Sequence, residues 1–428
     1  MLLRFSVSNY LSIAARQEIS LVATKLKGPS SPLLRSSAIG QLNALSSAVI
    51  YGANASGKTN FIKAIEFMRS AILFSHRQGK PEGGVPRLPY QLDSQIRSSP
   101  TMVEADFVLK DIRYQYGFEC DDDQFVSEWL YTFPEGKRRR LFERTKNEVE
   151  FGQSLKGPKK ILVSLMRPNS LFISTATQND HEDLSRIVSF FQSMQFSSTI
   201  SVAKNLINNT FKKGEIHTRT ISFLKEIGTG IVNYRQTEIQ VPDNIISFQK
   251  EIMEIARKHM GEVSNRDEDT DREKDISIEL AHIGSDGSEV FFGLERESSG
   301  TRRLILILNS IFKALDEGTV VFVDELDASL HTLAVEQILT LFNDTNINQN
   351  GAQLIATTHD TNLLACKSLR RDQIWFAEKS GAGETNIFPL SDIKSRISDN
   401  FEQGYLEGRY GGIPYSGDLR ILMNGAVV

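Results

Sequence analysis

The feature that most constrains the fold is a phosphate-binding loop near the N-terminus, because such a loop needs a strand before it and a helix after it. It reads Gly52-Ala53-Asn54-Ala55-Ser56-Gly57-Lys58-Thr59, a complete G-x-x-x-x-G-K-[ST] motif. The apolar run over residues 48–51 predicts the strand. Apolar positions at i, i+4, i+7 and i+11 predict the helix, and these are Phe61, Ile65, Met68 and Ile72. The flanks therefore favour a phosphate site over a chance glycine-rich turn.

The residue types of this loop suit the triphosphate of a nucleotide. Gly52 and Gly57 let the backbone curl so that successive N–H groups face a phosphate, and the helix N-terminus adds its partial positive charge. Lys58 can reach the β- and γ-phosphates, and the hydroxyl of Thr59 can ligate Mg²⁺. The loop and the following Asn60 are therefore the predicted site for a nucleoside triphosphate with Mg²⁺.

Two carboxylates follow a predicted buried strand later in the chain. Four apolar residues at 320–323 precede Asp324 and Glu325. Ligands of open α/β sheets collect at the C-terminal edge of such strands. Asp324 is placed to hold Mg²⁺, and Glu325 is placed to polarise an attacking water. Together with the phosphate-binding loop upstream, this pair predicts hydrolysis of the nucleotide.

Composition and charge limit the class of protein. A chain of 428 residues is long for one core, and a net charge of −4 means that any nucleic-acid contact would be local. For the basic cluster at 137–140, a solvated hairpin turn is favoured over such a contact, and the nucleic-acid contact stays open as the alternative. The only cysteines, Cys120 and Cys366, favour a reducing compartment. Since no apolar stretch approaches the ~20 residues that span a bilayer and no signal peptide is visible, we expect a cytoplasmic protein without membrane contact.

The order of predicted elements divides the chain into three parts. Residues 1–180 carry the phosphate-binding loop and a run of strands expected to form an antiparallel sheet, with a further buried strand at Leu171-Phe172-Ile173-Ser174. Residues 181–274 look mostly helical and end in an almost wholly charged stretch. Residues 275–428 alternate strand and helix until about 376, which is typical of a parallel sheet. In the middle part, helices are predicted near 184–194 and 244–259, and the charged stretch covers 265–274.

A segment between the loop and the acidic strand resembles the signature motif of ABC-type ATPases. It reads Glu297-Ser298-Ser299-Gly300-Thr301-Arg302-Arg303 and opens an amphipathic helix. In that family the signature Ser and Gly, here Ser298 and Gly300, clamp the γ-phosphate of ATP held by the opposite subunit. The residue types alone would also suit a plain helix N-cap. The resemblance implies an α/β P-loop ATPase head of the ABC type, with an antiparallel or mixed sheet lobe, a parallel-sheet core and a helical insertion.

Three further segments match the same family. Asp327-Ala328-Ser329-Leu330-His331 sits where the D-loop of the family follows the catalytic Glu. Residues 352–360 look like the strand of the switch histidine, so the resemblance implies that His359 contacts the γ-phosphate and helps to position the water. Gln178 follows the strand predicted at 171–174, as the Q-loop glutamine of the family follows a strand. The resemblance therefore implies that Gln178 helps to coordinate Mg²⁺.

Within the ABC-type ATPases, the chromosome-maintenance and recombination branch, with SMC and RecF-like proteins, is the most similar. The resemblance rests on Asn54 and on the opening Phe5-x-Val7-x-Asn9-Tyr10-x-Ser12. Compact bacterial ATPases of the overcoming-lysogenization-defect type are closer still, including the stand-alone AAA_15/AAA_21 proteins of phage-defence loci such as RloA, abortive-infection ATPases and the PARIS ATPase. The segments 297–303, 372–376 and 404–414 carry this likeness.

The sequence departs from these relatives in two respects. Leu11 stands where chromosome-maintenance proteins usually have a basic residue near the nucleotide. Overcoming-lysogenization-defect proteins carry a C-terminal Toprim nuclease with a metal-binding Glu and an Asp-x-Asp, whereas 69 residues follow His359 here and contain no Asp-x-Asp. We therefore expect that this chain does not cut nucleic acid by itself.

The resemblance implies an ATPase that converts ATP and water to ADP and phosphate and dimerises head to tail, so that each copy supplies its signature to the other. It further implies a sensor or regulator of a separate effector, such as a Toprim-type nuclease, in bacterial defence against phage. Two alternatives stay open at this point. One is a RecF-like repair ATPase that clamps DNA, and the other is a slow-turnover scaffold that holds a toxin. A transporter ATPase fits least.

Overall fold

The computed structural model describes residues 1–26, 33–80, 82–197, 216–240, 274–328, 330–366, 368–394 and 399–411. The chain divides into two compact units, Met1–Phe196 with Ala314–Val428 and Ser197–Lys313. The helix predicted at 244–259 and residues 265–273 of the charged stretch lie outside the described residues. The three-part division at 180/181 and 274/275 stays a prediction. Within the described ranges, no helix is long and apolar enough to cross a membrane.

The described residues form both strands and helices throughout the chain. The strands are Leu2–Ser8 (β1), Gln17–Ser20 (β2), Ser47–Tyr51 (β3), Thr101–Leu109 (β4), Ile112–Cys120 (β5), Phe125–Thr132 (β6), Arg139–Thr145 (β7), Glu148–Phe151 (β8), Gln195–Ser197 (β9), Ile231–Gln240 (β10), Lys274–Ile283 (β11), Glu289–Gly293 (β12), Val320–Val323 (β13), Gln353–Thr358 (β14), Ile374–Lys379 (β15) and Thr385–Pro389 (β16). The α-helices are Lys58–Gln78 (α1), Ser94–Ser98 (α2), Lys159–Leu165 (α3), Phe172–Gln178 (α4), Glu182–Gln192 (α5), Thr218–Glu226 (α6), Ser299–Glu317 (α7), Thr332–Asn343 (α8) and Phe401–Leu406 (α9).

The first unit contains a seven-stranded antiparallel sheet in the order β2-β1-β4-β5-β6-β7-β8. One face of the sheet is apolar because side chains alternate along each strand. On β4, for example, Val103, Ala105 and Phe107 all belong to the buried core. The antiparallel sheet predicted after the phosphate-binding loop is confirmed.

The basic cluster at 137–140 spans the end of the β6–β7 connection and the first two residues of β7. Arg140 pairs with Glu143 at 3.1 Å and with Glu150 at 2.6 Å. The guanidinium of Arg138 lies 3.6 Å from the centroid of the Tyr131 ring. These contacts are those of a solvated hairpin, the interpretation that the sequence favours.

The parallel core of the first unit is a six-stranded sheet in the order β16-β15-β3-β14-β13-β9. Strands β15, β3, β14 and β13 run parallel, and β16 pairs antiparallel with β15. Every residue of β3, β13 and β14 is buried. Sheets covered on both faces require such continuous buried runs, which is why these strands lack a polar alternation.

Helix α1 packs against β1 and β4 of the antiparallel sheet. Its predicted apolar positions from Phe61 to Ile72 are all buried, and the ring of Phe61 meets that of Phe5 edge-on at 5.3 Å. Gln353 of β14 ties the two sheets together. Its Oε1 accepts from the Leu2 N–H at 2.6 Å, and its Nε2 donates to the carbonyls of Leu2 and Leu45, each at 2.9 Å.

The strand predicted at 171–174 is wrong, because these residues begin helix α4. The backbone N–H groups of Phe172 and Ile173 donate to the carboxylate of Glu128 at 2.6 and 3.0 Å. A buried carboxylate therefore caps the helix N-terminus, where unpaired N–H groups and the helix dipole favour a negative charge. Residues 172–176 are all buried, so the apolar run has the pattern of a buried strand.

The second unit contains a three-stranded antiparallel sheet, β10-β11-β12, together with α6 and the part of α7 up to Lys313. The helix predicted near 184–194 is confirmed in the first unit as α5. Residues 231–240 depart from the mostly helical expectation, since they form strand β10 paired with β11. Its residues include Ile231, Val232, Tyr234 and Thr237, types that favour a strand over a helix.

Candidate functional site

The phosphate-binding loop joins β3 to α1 and requires glycine at position 57. Gly57 has a φ of +101°, which a residue with a side chain rarely adopts. A Cβ atom at this position would lie 2.0 Å from Oγ1 of Thr385 and 2.7 Å from Oγ of Ser12. A side chain at this position is therefore excluded by the backbone conformation and by the lack of space.

Lys58 is buried at the start of α1, with 5% of its surface exposed. Its Nζ donates to the carbonyl oxygens of Gly52 at 2.7 Å and of Ala53 at 2.9 Å. Burial lowers the pKa of Lys58 to about 8, although the carboxylates of Asp324, Asp327 and Glu325 act in the opposite direction. The side chain is therefore largely a cation at neutral pH, and it is held within the loop.

Thr59 and Asp324 meet at the C-terminal edge of the parallel sheet. The Thr59 hydroxyl lies 3.0 Å from each carboxylate oxygen of Asp324. Thr357 of β14, a residue that the sequence does not mark, donates to Oδ1 of Asp324 at 2.7 Å. Hydroxyl and carboxylate oxygens are the hard ligands that Mg²⁺ prefers, so these residues fit a Mg²⁺ site held by Thr59 and Asp324.

Glu325 leaves the strand with a φ of +52°, an uncommon conformation for a residue with a long side chain. Its N–H donates to the hydroxyl of Thr357 at 2.7 Å. This turn separates two carboxylates that are adjacent in sequence. Asp324 is 5% exposed and bonds to Thr59, whereas Glu325 is half-buried and lines a cavity.

His359 follows β14 and lies 3.5 Å from Nζ of Lys58 through its Nδ1. Its backbone N–H donates to the carboxylate of Asp327 at 3.1 Å. Burial, and then the charge of Lys58, lower the pKa of His359, which favours the neutral ring. Asp327 belongs to the segment that resembles a D-loop, in which Ser329 lies outside the described residues.

Most of the loop, Glu325 and His359 border one polar cavity of about 460 Å³, a volume typical of small-molecule sites. Its lining consists of residues 54–60 with Glu325, His359 and Lys379. The loop residues, Glu325 and His359 were predicted for one site from the sequence, and the structure brings them together. Lys379, at the end of β15, was not predicted, since no motif in its neighbourhood marks it.

The loop is braced by residues from two distant segments. Thr385, on β16, makes two of these contacts. Its Oγ1 donates to the carbonyl of Ser56 at 2.8 Å, and its backbone N–H donates to the carbonyl of Ser12 at 2.8 Å. The Asn60 side chain donates to Oγ of Ser12 at 2.7 Å. The N-terminal bend and the β15–β16 hairpin therefore hold the loop in place, a role that the sequence does not indicate for Thr385.

The prediction for Gln178 rested on a strand that does not form. Gln178 is exposed at the end of α4, and it is not among the described residues that line the cavity. The strand that precedes the second unit is β9, which lies beside β13 in the parallel sheet.

Ser298 and Gly300 lie in the second unit, at the N-terminus of α7. The N–H of Thr301 donates to Oγ of Ser298 at 3.0 Å, so this serine caps the helix. Ser298 is exposed, and Gly300 is half-buried. The cap leaves the helix N-terminus, with its partial positive charge, next to solvent-exposed side chains.

A parallel sheet that carries the phosphate-binding loop, an antiparallel sheet packed on α1 and an acidic strand end together define an α/β P-loop ATPase head of the ABC type. The predicted fold class is confirmed. Residues 47–365 match the AAA_21 family, described as AAA domain, putative AbiEii toxin, Type IV TA system. The chain belongs to this family, as the resemblance to AAA_21-type ATPases implies.

Two solved structures of Smc heads are similar to the chain. One is an Smc head bound to the C-winged helix domain of ScpA, with 12% identity, coverage of 91% of this chain and 97% of that chain, and a TM-score of 0.39. The other is an Smc head with an extended coiled coil bound to the C-terminal domain of ScpA derived from Pyrococcus furiosus, with 11% identity, coverage of 91% and 96%, and a TM-score of 0.37. No curated protein matches the sequence. The family assignment rests on the match over residues 47–365.

Proposed function

We propose that the chain binds ATP with Mg²⁺ in the polar cavity and hydrolyses it to ADP and phosphate. The observation that carries this proposal is the contact between Thr59 and Asp324 at the edge of a cavity lined by Lys58, Glu325 and His359. A phosphate-binding loop alone would suit many ligands. Two side chains that can hold Mg²⁺ and a carboxylate beside them are the parts that phosphoryl transfer to water requires.

Each residue has a distinct part in this proposal. The loop N–H groups and the Lys58 ammonium bind the β- and γ-phosphates, while Thr59 and Asp324 hold Mg²⁺. Mg²⁺, when bound, neutralises negative charge on the phosphates. The Glu325 carboxylate accepts a hydrogen bond from the attacking water and orients it, and the neutral ring of His359 offers a second hydrogen-bonding group to the γ-phosphate or the water.

We propose that the site is completed by a second copy of the chain, whose Ser298 and Gly300 bind the γ-phosphate. Two observations support this part. The signature lies at the N-terminus of the 19-residue helix α7, and Ser298 is exposed there. A helix N-terminus is a ready binding site for an anion. Closure of the pair would therefore depend on the triphosphate.

We further propose that the ATPase works in the cytoplasm as the sensor or regulator of a separate effector, such as a Toprim-type nuclease, in defence against phage. The family description, which names a putative toxin and a toxin–antitoxin system, supports a role in phage-defence loci. The test is phage plating on bacteria that carry the gene together with its neighbouring genes. Protection should disappear in the Lys58→Ala variant and persist in Lys63→Ala, and protection that survives Lys58→Ala would contradict the role of ATP.

Because the family description names a toxin–antitoxin system, we keep a second candidate, in which the chain turns ATP over slowly and holds a toxin partner. The two candidates differ in what the partner does to turnover. A regulated effector should change the ATPase rate of the chain several-fold when the two are mixed. A held toxin should leave the already slow ATPase rate unchanged, and the Lys58→Ala variant should release it. ATPase assays with and without the co-purified partner separate the two.

A further inference from the structure

Lys379, the last residue of β15, lines the cavity of the phosphate-binding loop but has no part in the hydrolysis proposed above. It is exposed, and its ammonium group makes no hydrogen bond or ion pair with the described residues. Nζ of Lys58, by contrast, already donates to the carbonyl oxygens of Gly52 and Ala53. Lys379 therefore adds to this cavity a positive charge whose hydrogen bonds are available to a ligand.

Strand β15 runs directly beside the phosphate-binding loop. It pairs parallel with β3, in a register that extends to Phe376 and Tyr51. One residue further, the two backbones are so close that a Cβ atom at Gly52 would lie 2.3 Å from the carbonyl oxygen of Ala377. Lys379 lies two residues beyond Ala377 in β15. It is therefore past the C-terminal end of β3, at the level of the loop.

The pairing of β15 with β16 determines the face on which the Lys379 side chain lies. Lys379 is directly opposite Thr385 in this antiparallel pair, and opposite residues project on the same face of a sheet. The Thr385 hydroxyl donates to the carbonyl of Ser56 at 2.8 Å, so this face is turned toward the loop. The side chain of Lys379 therefore projects on the side of the loop, which agrees with its place in the cavity lining.

The order of the strands separates Lys379 from the groups assigned to hydrolysis. In the parallel sheet, β15 lies on one side of β3, whereas β14 and β13 lie on the other. Because His359 follows β14 and Glu325 follows β13, these two residues approach the loop from the side opposite Lys379. The γ-phosphate must lie beside Glu325 for water to attack it. A triphosphate in this cavity would accordingly present its α- and β-phosphates to Lys379.

We propose that Lys379 binds the α- or β-phosphate of the nucleotide, as a second ammonium group in addition to Lys58. This inference rests on the proposed binding of ATP in the cavity, but not on the roles assigned to Glu325 and His359. The contact is a charge-assisted hydrogen bond between an ammonium group and a phosphate oxygen. Since the α- and β-phosphates are common to ATP and ADP, Lys379 stabilises both complexes to the same extent. It therefore contributes to affinity and not to the distinction between substrate and product.

The test is isothermal titration calorimetry of the full chain with Mg²⁺, at neutral pH and constant ionic strength. The two probes are ADP and adenylyl imidodiphosphate, a triphosphate analogue that is not hydrolysed. Lys379→Gln should weaken the binding of both probes by the same factor, at least about fivefold, because one charged hydrogen bond is lost. Lys379→Arg keeps the charge and should remain within about threefold of the parent. Lys160→Gln, an exposed change on α3 away from the described cavity lining, should bind both probes like the parent.

Each other result contradicts a definite part of the inference. Parent-like affinity of Lys379→Gln for both probes would overturn the contact, and a loss confined to the triphosphate analogue would place Lys379 at the γ-phosphate instead. An equal loss in Lys160→Gln would show an effect of net charge and not of a contact. Because Lys379 is exposed, Lys379→Gln should unfold at the parental urea concentration, which excludes misfolding as the cause of weaker binding. Titration of the parent tests nucleotide binding by itself: if the parent binds both probes, failure of the Lys379 variants leaves the proposed function intact, and if it binds neither, both proposals fail.

Discussion

The hydroxyl of Thr59 lies 3.0 Å from both carboxylate oxygens of Asp324, across a sequence separation of 265 positions. Thr59 lies in the first turn of helix α1, and Asp324 follows strand β13. The contact therefore joins the phosphate-binding loop to the acidic end of β13 at one edge of the parallel sheet. On its other side, the Asp324 carboxylate accepts from the hydroxyl of Thr357 at 2.7 Å.

The Asp324→Asn variant should need more Mg²⁺ to reach half-maximal ATP hydrolysis. Asn keeps the shape of the side chain but removes the negative charge that would hold the cation, and an increase of about tenfold or more is expected. ATPase rates measured across a Mg²⁺ titration at saturating ATP provide the check. Asp183→Asn, a change at a partly exposed residue of α5 that does not line the cavity, is the control. The same Mg²⁺ requirement in both variants would show that Asp324 does not hold the metal.

The Glu325→Gln variant should bind ATP normally but hydrolyse it about 100-fold more slowly, because the amide cannot accept the proton of the attacking water. With hydrolysis blocked, the ATP-bound pair should accumulate and be visible as a dimer or larger oligomer by size-exclusion chromatography with light scattering. Glu317→Gln, an exposed change at the end of α7, should leave the rate unaltered. Turnover by Glu325→Gln at the parental rate would exclude Glu325 as the base.

ATP affinity should fall as the pH rises above about 8. Burial lowers the pKa of Lys58 to about 8, so above this pH the free protein loses the cation that faces the phosphates. Bound triphosphate favours the ammonium form, and the affinity should therefore decline by about tenfold per pH unit until the complex itself deprotonates. Isothermal titration calorimetry at constant ionic strength measures this dependence.

His359→Gln is the control for this pH profile. The pKa of His359 is already lowered below its ordinary value by burial and by Lys58, so this ring stays neutral over the alkaline range. The variant should therefore retain the break near pH 8. If the break vanished with His359 or were absent from the parent, Lys58 would not be the titrating group.

Gly57→Ala should abolish ATP binding. It should also lower the free energy of unfolding by more than the positive φ at position 57 costs by itself. Gly136 supplies the comparison, since it also has a positive φ, +78°, but an added Cβ meets nothing within 4 Å. Gly136→Ala should cost about 1–2 kcal/mol in the free energy of unfolding, the backbone term alone. Gly57→Ala adds a Cβ 2.0 Å from Thr385, and the difference between the two variants in urea denaturation measures that clash. Equal losses would mean that Thr385 moves aside freely.

The main residues of the candidate site could be predicted because each lies next to a recognisable strand. The loop, Asp324 with Glu325, and His359 follow strands β3, β13 and β14, in which every residue is buried. Buried parallel strands produce continuous apolar runs, and polar residues after such runs stand out in a single sequence. The antiparallel sheet was predictable for a related reason, since its strands alternate.

The residues that brace the site could not be predicted, because their contacts are long-range and their types are common. Thr385 bonds to the carbonyl of Ser56 across 329 positions, and no motif surrounds it. Thr357 lies within a strand and differs from its neighbours only in what it contacts, Asp324 and the N–H of Glu325. Gln178 was misplaced for the converse reason, since a local pattern predicted a strand where a distant carboxylate caps a helix.

That carboxylate, Glu128, is the subject of the last prediction. It is 1% exposed, accepts from the N–H groups of Phe172 and Ile173 and from the hydroxyl of Tyr116 at 3.0 Å, and lies 3.5 Å from the guanidinium of Arg144. Glu128→Gln leaves the buried cation of Arg144 uncompensated and replaces one acceptor by a donor, so about 3 kcal/mol of unfolding free energy should be lost. Glu148→Gln, an exposed change on β8, should cost about 0.5 kcal/mol or less. If urea denaturation found the two variants equally stable, α4 would not depend on this cap, and the departure from the predicted strand would need another cause.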